Sequence, residues 1–423
     1  MTRLPAFLLA LFTFVQAPQT NYDAAVARVA AHPKLAAAMA AIERDHDRLI
    51  NEIITLTEIP APPFKEDKRG AAYLEMLRAA KLTSVERDAE GNVIGLRKGT
   101  GTGPLIAIAA HLDTVFPEGT DVKVKRDLTR LAAPGIGDDT RSLAVLLAMV
   151  RAMDAAGIQT TSDILFIGNV GEEGPGDLRG VKYLFQKGAY KDRIKMFISM
   201  DGAGGGDDIV TGAVGSRRYR VTFKGPGGHS YGAFGLVSPA FAMGNAMKKF
   251  GTIQVPAQPK TTYSVGVVGG GTSVNSIPFE SWMEIDMRSE SPAELQKVEA
   301  QFKAMMQQAA DEENAARSTE QGKITVELKL IGDRPSGQTP ADSPIVLTAG
   351  AAVRAVEMKP RFSYSSTDSN IPISMGIPAI TIDSGGRGGR AHATDEWIDV
   401  EKTSSIKGIR AAMLLVLTLA GMQ

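Results

Sequence analysis

The chain has 423 residues, 22% charged and 43% hydrophobic, enough for one large folded unit and a smaller one with cores of their own. Lysine plus arginine and aspartate plus glutamate each number 47, so the basic excess that nucleic-acid binding draws on is missing. There are no cysteines, which excludes disulfides, thiol nucleophiles and every cysteine-based metal site.

The chain opens with one arginine, an apolar run over Leu4–Val15 and then Ala17. This is the layout of a secretory signal peptide, expected over residues 1–19. The alternative, a retained membrane anchor, is disfavoured because the run falls short of the about 20 residues that span a bilayer. Export without cysteines suits a bacterial periplasm or exterior.

From about Asn21 an alanine-rich segment carries apolar residues at helical spacing as far as Ile59, and two of the five histidines, His32 and His46, fall here with surface or capping roles expected. Helix-like and strand-like segments then alternate: GAAYLEMLRAAKL, NVIGLRKG, PLIAIAAHLD, SLAVLLAMVRAMDAAGI, SDILFIGNV and KMFISMDG. Apolar strands separated by helices predict an α/β sheet covered on both faces. The glycine run Gly99–Gly103 stands between two strands with no helix after it, so it reads as a hairpin turn and not as a dinucleotide-binding loop.

After Asp201 the strands alternate polar and apolar residues. RRYRVTFKG, a helix, TTYSVGVVGGG, ESWMEIDMRSE, a second helix and ITVELKLIGD follow in the order of a ferredoxin-like α+β unit. Helix–strand–helix of the earlier kind returns after Asp333. The predicted organisation is a first catalytic part (20–214), an inserted small domain (215–333) and a second catalytic part (334–423).

The remaining histidines are His111, His229 and His392. His111 ends an apolar strand with Asp113 two residues on, a carboxylate placed to orient the imidazole. Asp138 and Asp139 stand between a glycine-rich turn and a helix. One acid there serves as a helix cap, and a second needs another reason. Glu172 and Glu173 are adjacent in NVGEEGPG, and Asp201 follows another strand. In open α/β sheets ligands bind beyond the carboxyl ends of the strands, so His111, Glu172, Glu173 and Asp201, each ending a strand, are expected on one rim.

HLDTVFP, GIGDDTRS, GEEG, SMDG, GGHS and AHATDEW occur in the order and approximate spacing of the M20 metallopeptidases, which the chain resembles over about residues 40–423. The resemblance implies a mixed-sheet zinc-exopeptidase domain with an inserted ferredoxin-like lid. It implies two Zn²⁺ ions, with Co²⁺ or Mn²⁺ as alternatives: one on His111 and Asp201, one on Glu173 and His392, with Asp138 shared. Asp113 becomes the partner of His111, Glu172 the general acid/base, and a metal-bridging water the nucleophile. His229 is implied as an oxyanion stabiliser, supplied in dimeric members by the partner subunit. Asn275, Arg288, Ser366 and Thr367 are implied to bind substrate, with backbone amides near the last two holding a carboxylate. Short peptides are the implied substrates. N-acyl amino acids, or a non-catalytic peptide-binding role, are the alternatives, and a homodimer through the lid is allowed. The chain departs from the family where DDTRSLA replaces the frequent Lys-Gly or Lys-Ala-Gly after the shared aspartate, a change that leaves the ligands intact.

Overall fold

The computed structural model describes residues 19–423. The expected leader lies outside the described residues apart from Gln19, which opens a helix. No single helix among the described residues is long and apolar enough to cross a membrane.

The alanine-rich segment forms three helices, Gln19–Ala30, Pro33–Arg44 and His46–Thr57. Pro33 sits in a first turn, where its missing N–H costs nothing, and His32 Nδ1 caps the same turn by accepting from Lys34 N at 3.1 Å. Val26, Leu35, Ala38, Met39 and Ile42 are buried, so the segment packs on the body. His46 departs from expectation: it is buried at the start of its helix, not at the surface.

The large sheet has four parallel central strands, ordered Ile164–Asn169, Leu105–His111, Ile194–Met200 and Ala379–Ile382. Ile106, Ile108 and Ala110 face one layer, in which the almost wholly buried helix Arg141–Ala155 packs with Lys402–Leu419. Ala107 and Ala109 face the other, against Val181 and Leu184 of helix Arg179–Gln186. Burial on both faces explains why these strands read as continuous apolar runs.

The glycine run is not a hairpin turn. Strand Val93–Arg97 pairs antiparallel with Ile164–Asn169, and Leu105–His111 pairs parallel with that same strand on its other side. Gly99–Gly103 therefore crosses the end of a strand that arrives some sixty residues later. Thr100 N donates to Thr160 O at 2.8 Å, and a side chain at Gly99 would come within 2.5 Å of the Ser162 carbonyl. Close backbone approach, not a reversal, is what requires glycine here. Four strands of the sheet, Ser84–Arg87, Asp208–Ala213, Gly337–Gln338 and Arg361–Ser365, were not expected.

Between Gly215 and Arg334 runs a separate antiparallel sheet, ordered Thr261–Gly270, Glu280–Ser289, Gly215–Lys224 and Thr325–Arg334. Helices Pro239–Phe250 and Pro292–Ala316 cover one face and bury Val221, Phe223, Met283, Met287 and Phe302. This is the ferredoxin-like arrangement. Its apolar core is distinct from those of the large sheet, and its first and last strands lie side by side, with Ser216 opposite Arg334.

Candidate metal centre

The carboxyl ends of the central strands gather the chemistry. His111 is the last residue of its strand, Asp201 follows Ile194–Met200 directly, and Glu172 and Glu173 follow Ile164–Asn169. His392 comes from the loop between strands Arg387–Gly389 and Trp397–Asp399. The second of these pairs with Arg130–Ala132, just ahead of the segment that carries Asp138, and so brings the distant loop alongside.

Asp138 stands at the middle. Its Oδ1 lies 2.8 Å from His111 Nε2 and its Oδ2 lies 3.1 Å from His392 Nε2. Glu173 Oε1 is 3.1 Å from the same His392 nitrogen, and Asp201 Oδ1 is 3.9 Å from His111 Nε2. His111 Nδ1 lies 3.0 Å from the carbonyl oxygen of Asp113, which can only accept, so Nδ1 carries the proton. In a neutral imidazole Nε2 is then a lone pair facing a carboxylate oxygen. Two acceptors at 2.8 Å require a proton or a cation between them, and the donor set of two imidazoles and three carboxylates fits divalent ions.

Asp139 also has oxygens near His111 and Asp201, but both are taken. Oδ2 accepts from His111 N at 3.0 Å and Oδ1 from Gly202 N at 3.1 Å, so Asp139 ties together the two strand ends that carry candidate ligands. Neither acid caps the following helix. The Asp138–Asp139 peptide bond is cis.

Asp113 holds more than the group expected. Its carboxylate is 3.6 Å from His111 Nδ1, whose close partner is the Asp113 carbonyl. The carboxylate oxygens also accept the amides of Glu172 at 3.0 Å and Glu173 at 2.8 Å, fixing the paired-acid loop. Glu396, which sequence reasoning passed over, accepts from Gly135, Gly137 and Asp138 N at 2.7–2.9 Å and pins the Asp138 loop to the His392 loop. It lies inside the quoted motif AHATDEW, but its partners are more than 250 residues away in sequence.

The electrostatics agree with a site built for cations. Burial pushes the Glu173 carboxyl up to about 7, with the charges of Glu172 and Asp138 adding to it against the His392 bond. Burial and then Asp138 hold Asp201 well above the usual carboxylate range. The bonds to Asp138 and Glu173 raise His392 to about 10. For His111 burial opposes the imidazolium, but Asp113 and Asp138 outweigh it and raise the group well above its ordinary value.

A cleft of about 400 Å³ opens beside these groups, lined by Asp138, Glu172, Glu173, Asp201 and His392 together with Arg218, Arg288 and Arg334. A larger groove of about 740 Å³ at the surface near Glu43 and Lys402 contains none of the candidate ligands. Asp286 accepts from Arg218 Nε at 3.0 Å and from Arg288 Nε at 2.6 Å, aligning both guanidiniums. Glu172 is not a free acid: Arg334 Nη1 donates to its Oε1 at 2.9 Å.

Ser366 lines the cleft, and its hydroxyl accepts from Arg334 at 3.1 Å. The Thr367 amide is not available to a substrate, because it donates to Asn370 Oδ1 at 2.9 Å, and the Thr367 hydroxyl is bonded to that of Thr381. His229 and Asn275 do not line the cleft. His229 lies exposed on the short strand Gly228–His229, where its Nδ1 accepts from Tyr231 and Gly232, and Asn275 is exposed beside the strand that pairs with it.

A doubly covered sheet, a rim of imidazoles and carboxylates, and a separate lid with arginines in the cleft define a metal-dependent hydrolase. The profile of peptidase family M20/M25/M40 matches residues 107–418, and the chain belongs to that family. It is 26% identical over 386 residues to the uncharacterized protein YqjE of Bacillus subtilis (strain 168), covering 84% of this chain and 94% of that one. Its fold is similar to that of aminopeptidase PepT from Bacillus cereus ATCC 10987, with a TM-score of 0.70 at 22% identity, covering 89% of this chain and 99% of the other. It is also similar to that of the Bacillus subtilis YXEP protein, a dinuclear metal binding peptidase, with a TM-score of 0.63 at 20% identity and coverage of 89% and 99%.

Proposed function

We propose that this protein is a co-catalytic di-zinc exopeptidase acting on short peptides. The observation that carries the reading is the double engagement of Asp138, one oxygen toward His111 and the other toward His392. In this reading His111 and Asp201 would hold one ion and Glu173 and His392 the other, with Asp138 available to both. Nitrogen and oxygen ligands without thiolate suit zinc. Two bound zinc ions would lower the pKa of water and polarise a scissile carbonyl.

The protein's own residues supply the rest. Glu172, at the cleft wall, takes a proton at its carboxylate and passes it to the leaving amine. Arg288, oriented by Asp286, presents its outer guanidinium nitrogens to a substrate carboxylate, for which a planar fork is suited. Arg218 stands beside it with Nη1 on the Gly174 carbonyl at 3.0 Å. Guanidiniums in the same cleft as the candidate ligands suit a small substrate with a free carboxyl group, which peptides and N-acyl amino acids share. Export through the apolar leader belongs to the same reading and rests on sequence.

The test is to strip the protein with a chelator, reload it with Zn²⁺ or Co²⁺, and screen blocked and unblocked di- and tripeptides and N-acyl amino acids by mass spectrometry. Hydrolysis should disappear on stripping and return on loading, and a requirement for a free amino terminus would separate peptidase from deacylase. Hydrolysis indifferent to metal would sink the proposal.

A further inference from the structure

Arg334, at the end of the last lid strand, was not among the expected site residues. Its side chain is only 4% exposed. Nη1 donates to Glu172 Oε1 at 2.9 Å and to Ser366 Oγ at 3.1 Å, and Nη2 donates to the Glu172 carbonyl oxygen. Asp113 Oδ1 accepts the Glu172 amide at 3.0 Å. Glu172 is thus held by its N–H, its C=O and one carboxylate oxygen, while Oε2 has no hydrogen bond within the described residues.

An exposed ion pair of this kind would contribute little. A buried guanidinium is different: its desolvation is offset only by well-matched acceptors, and here both nitrogens of the fork reach oxygens of the same residue. An unheld glutamate side chain samples several rotamers, whereas a proton-transfer group must be held to within about 0.5 Å. The adjacent Glu173 has to point elsewhere, toward His392, so some group must divide the two acids.

We propose that Arg334 is a positioning residue for Glu172. It occupies Oε1 and leaves Oε2 as the oxygen that accepts the proton. Because Arg334 sits where the lid rejoins the catalytic body, it also makes the placement of that carboxylate depend on the root of the lid. This inference rests on the reading of Glu172 as the proton-transfer group.

The test uses the full-length zinc-loaded protein and the variants Arg334→Met, Arg334→Lys, Glu172→Gln and the double variant Glu172→Gln/Arg334→Met. Arg334→Met should lower kcat about 100-fold, the order of loss that misplacing a reacting group produces. KM and the zinc content should be little changed. Arg334→Lys should recover part of the rate, since an ammonium cannot span both oxygens. The double variant should be no slower than Glu172→Gln alone. Wild-type kcat in folded Arg334→Met and Arg334→Lys would overturn the inference. So would a loss explained by zinc content or KM, or full additivity in the double variant. If Arg334→Met does not fold, the rate of Arg334→Lys decides. A Glu172→Gln protein with full turnover would refute the role of Glu172 itself, a failure distinguishable from the others, and the inference would fall with it.

Discussion

Two adjacent aspartates, Asp138 and Asp139, do opposite jobs at one point of the chain. Asp138 directs both oxygens to histidines, whereas Asp139 directs both to backbone amides. Asp139→Ala should therefore act on stability. One buried and one half-buried N–H group lose their acceptor, at about 1–3 kcal/mol each, so urea unfolding of the metal-free protein should show a loss of about 2–6 kcal/mol. Asp138→Ala should be read in metal content, which is expected to fall toward zero with a smaller change in stability. Equal stability of Asp139→Ala and the wild type would contradict this division. The titration of the site gives a second prediction. In the metal-free protein His392 keeps its proton up to about 10 and Glu173 up to about 7. A raised folded pKa means stability that is full below the unfolded value and lost as pH rises through the folded one. For Glu173 that window runs from its ordinary value near 4.5 to about 7, and for His392 from 6.5 to about 10. The Tm of metal-free protein should fall between pH 5 and 9, while zinc-loaded protein, whose ligands have already released their protons, should hold steady. Parallel curves for the two forms would count against the assigned ligands.

At the scale of elements, the rim was legible because its strands are apolar runs that each end in a chemically loud residue: His111, the Glu172–Glu173 pair and Asp201. The ferredoxin-like order was legible because half-covered strands alternate, as ESWMEIDMRSE does with every second side chain buried. What was not legible depends on partners remote in sequence. The Gly99–Gly103 link looked like a reversal, since neighbouring strands in sequence are usually neighbours in space. Only the arrival of Ile164–Asn169 between them shows otherwise. Glu396, Arg334 and the occupied amide of Thr367 were missed or misread for the same reason. Each looks like an ordinary solvated polar group until the loops it joins are brought together.

At the scale of the whole molecule, His229 and Asn275 stand on the lid outside the cleft of their own chain. The lid sheet ends in the strand Thr261–Gly270, where Val267 and Val268 are exposed. If a second copy supplies His229, then His229→Ala and Glu172→Gln, each inactive alone, should regain activity when refolded together. Random pairing into symmetric dimers would restore roughly a quarter of the wild-type rate. No recovery on mixing, together with full activity of His229→Ala alone, would rule the arrangement out. The interrupted path of the chain has one more consequence. His111, Asp138 and Asp201 all precede the lid, whereas His392 follows it. During synthesis, which runs from the amino terminus, the proposed pocket for one ion has all its side chains before the lid emerges from the ribosome. The other waits for nearly the last loop to be made. The two ions would then be unequal in time even though they share a carboxylate, and the order in which they are acquired would be written into the order of the sequence.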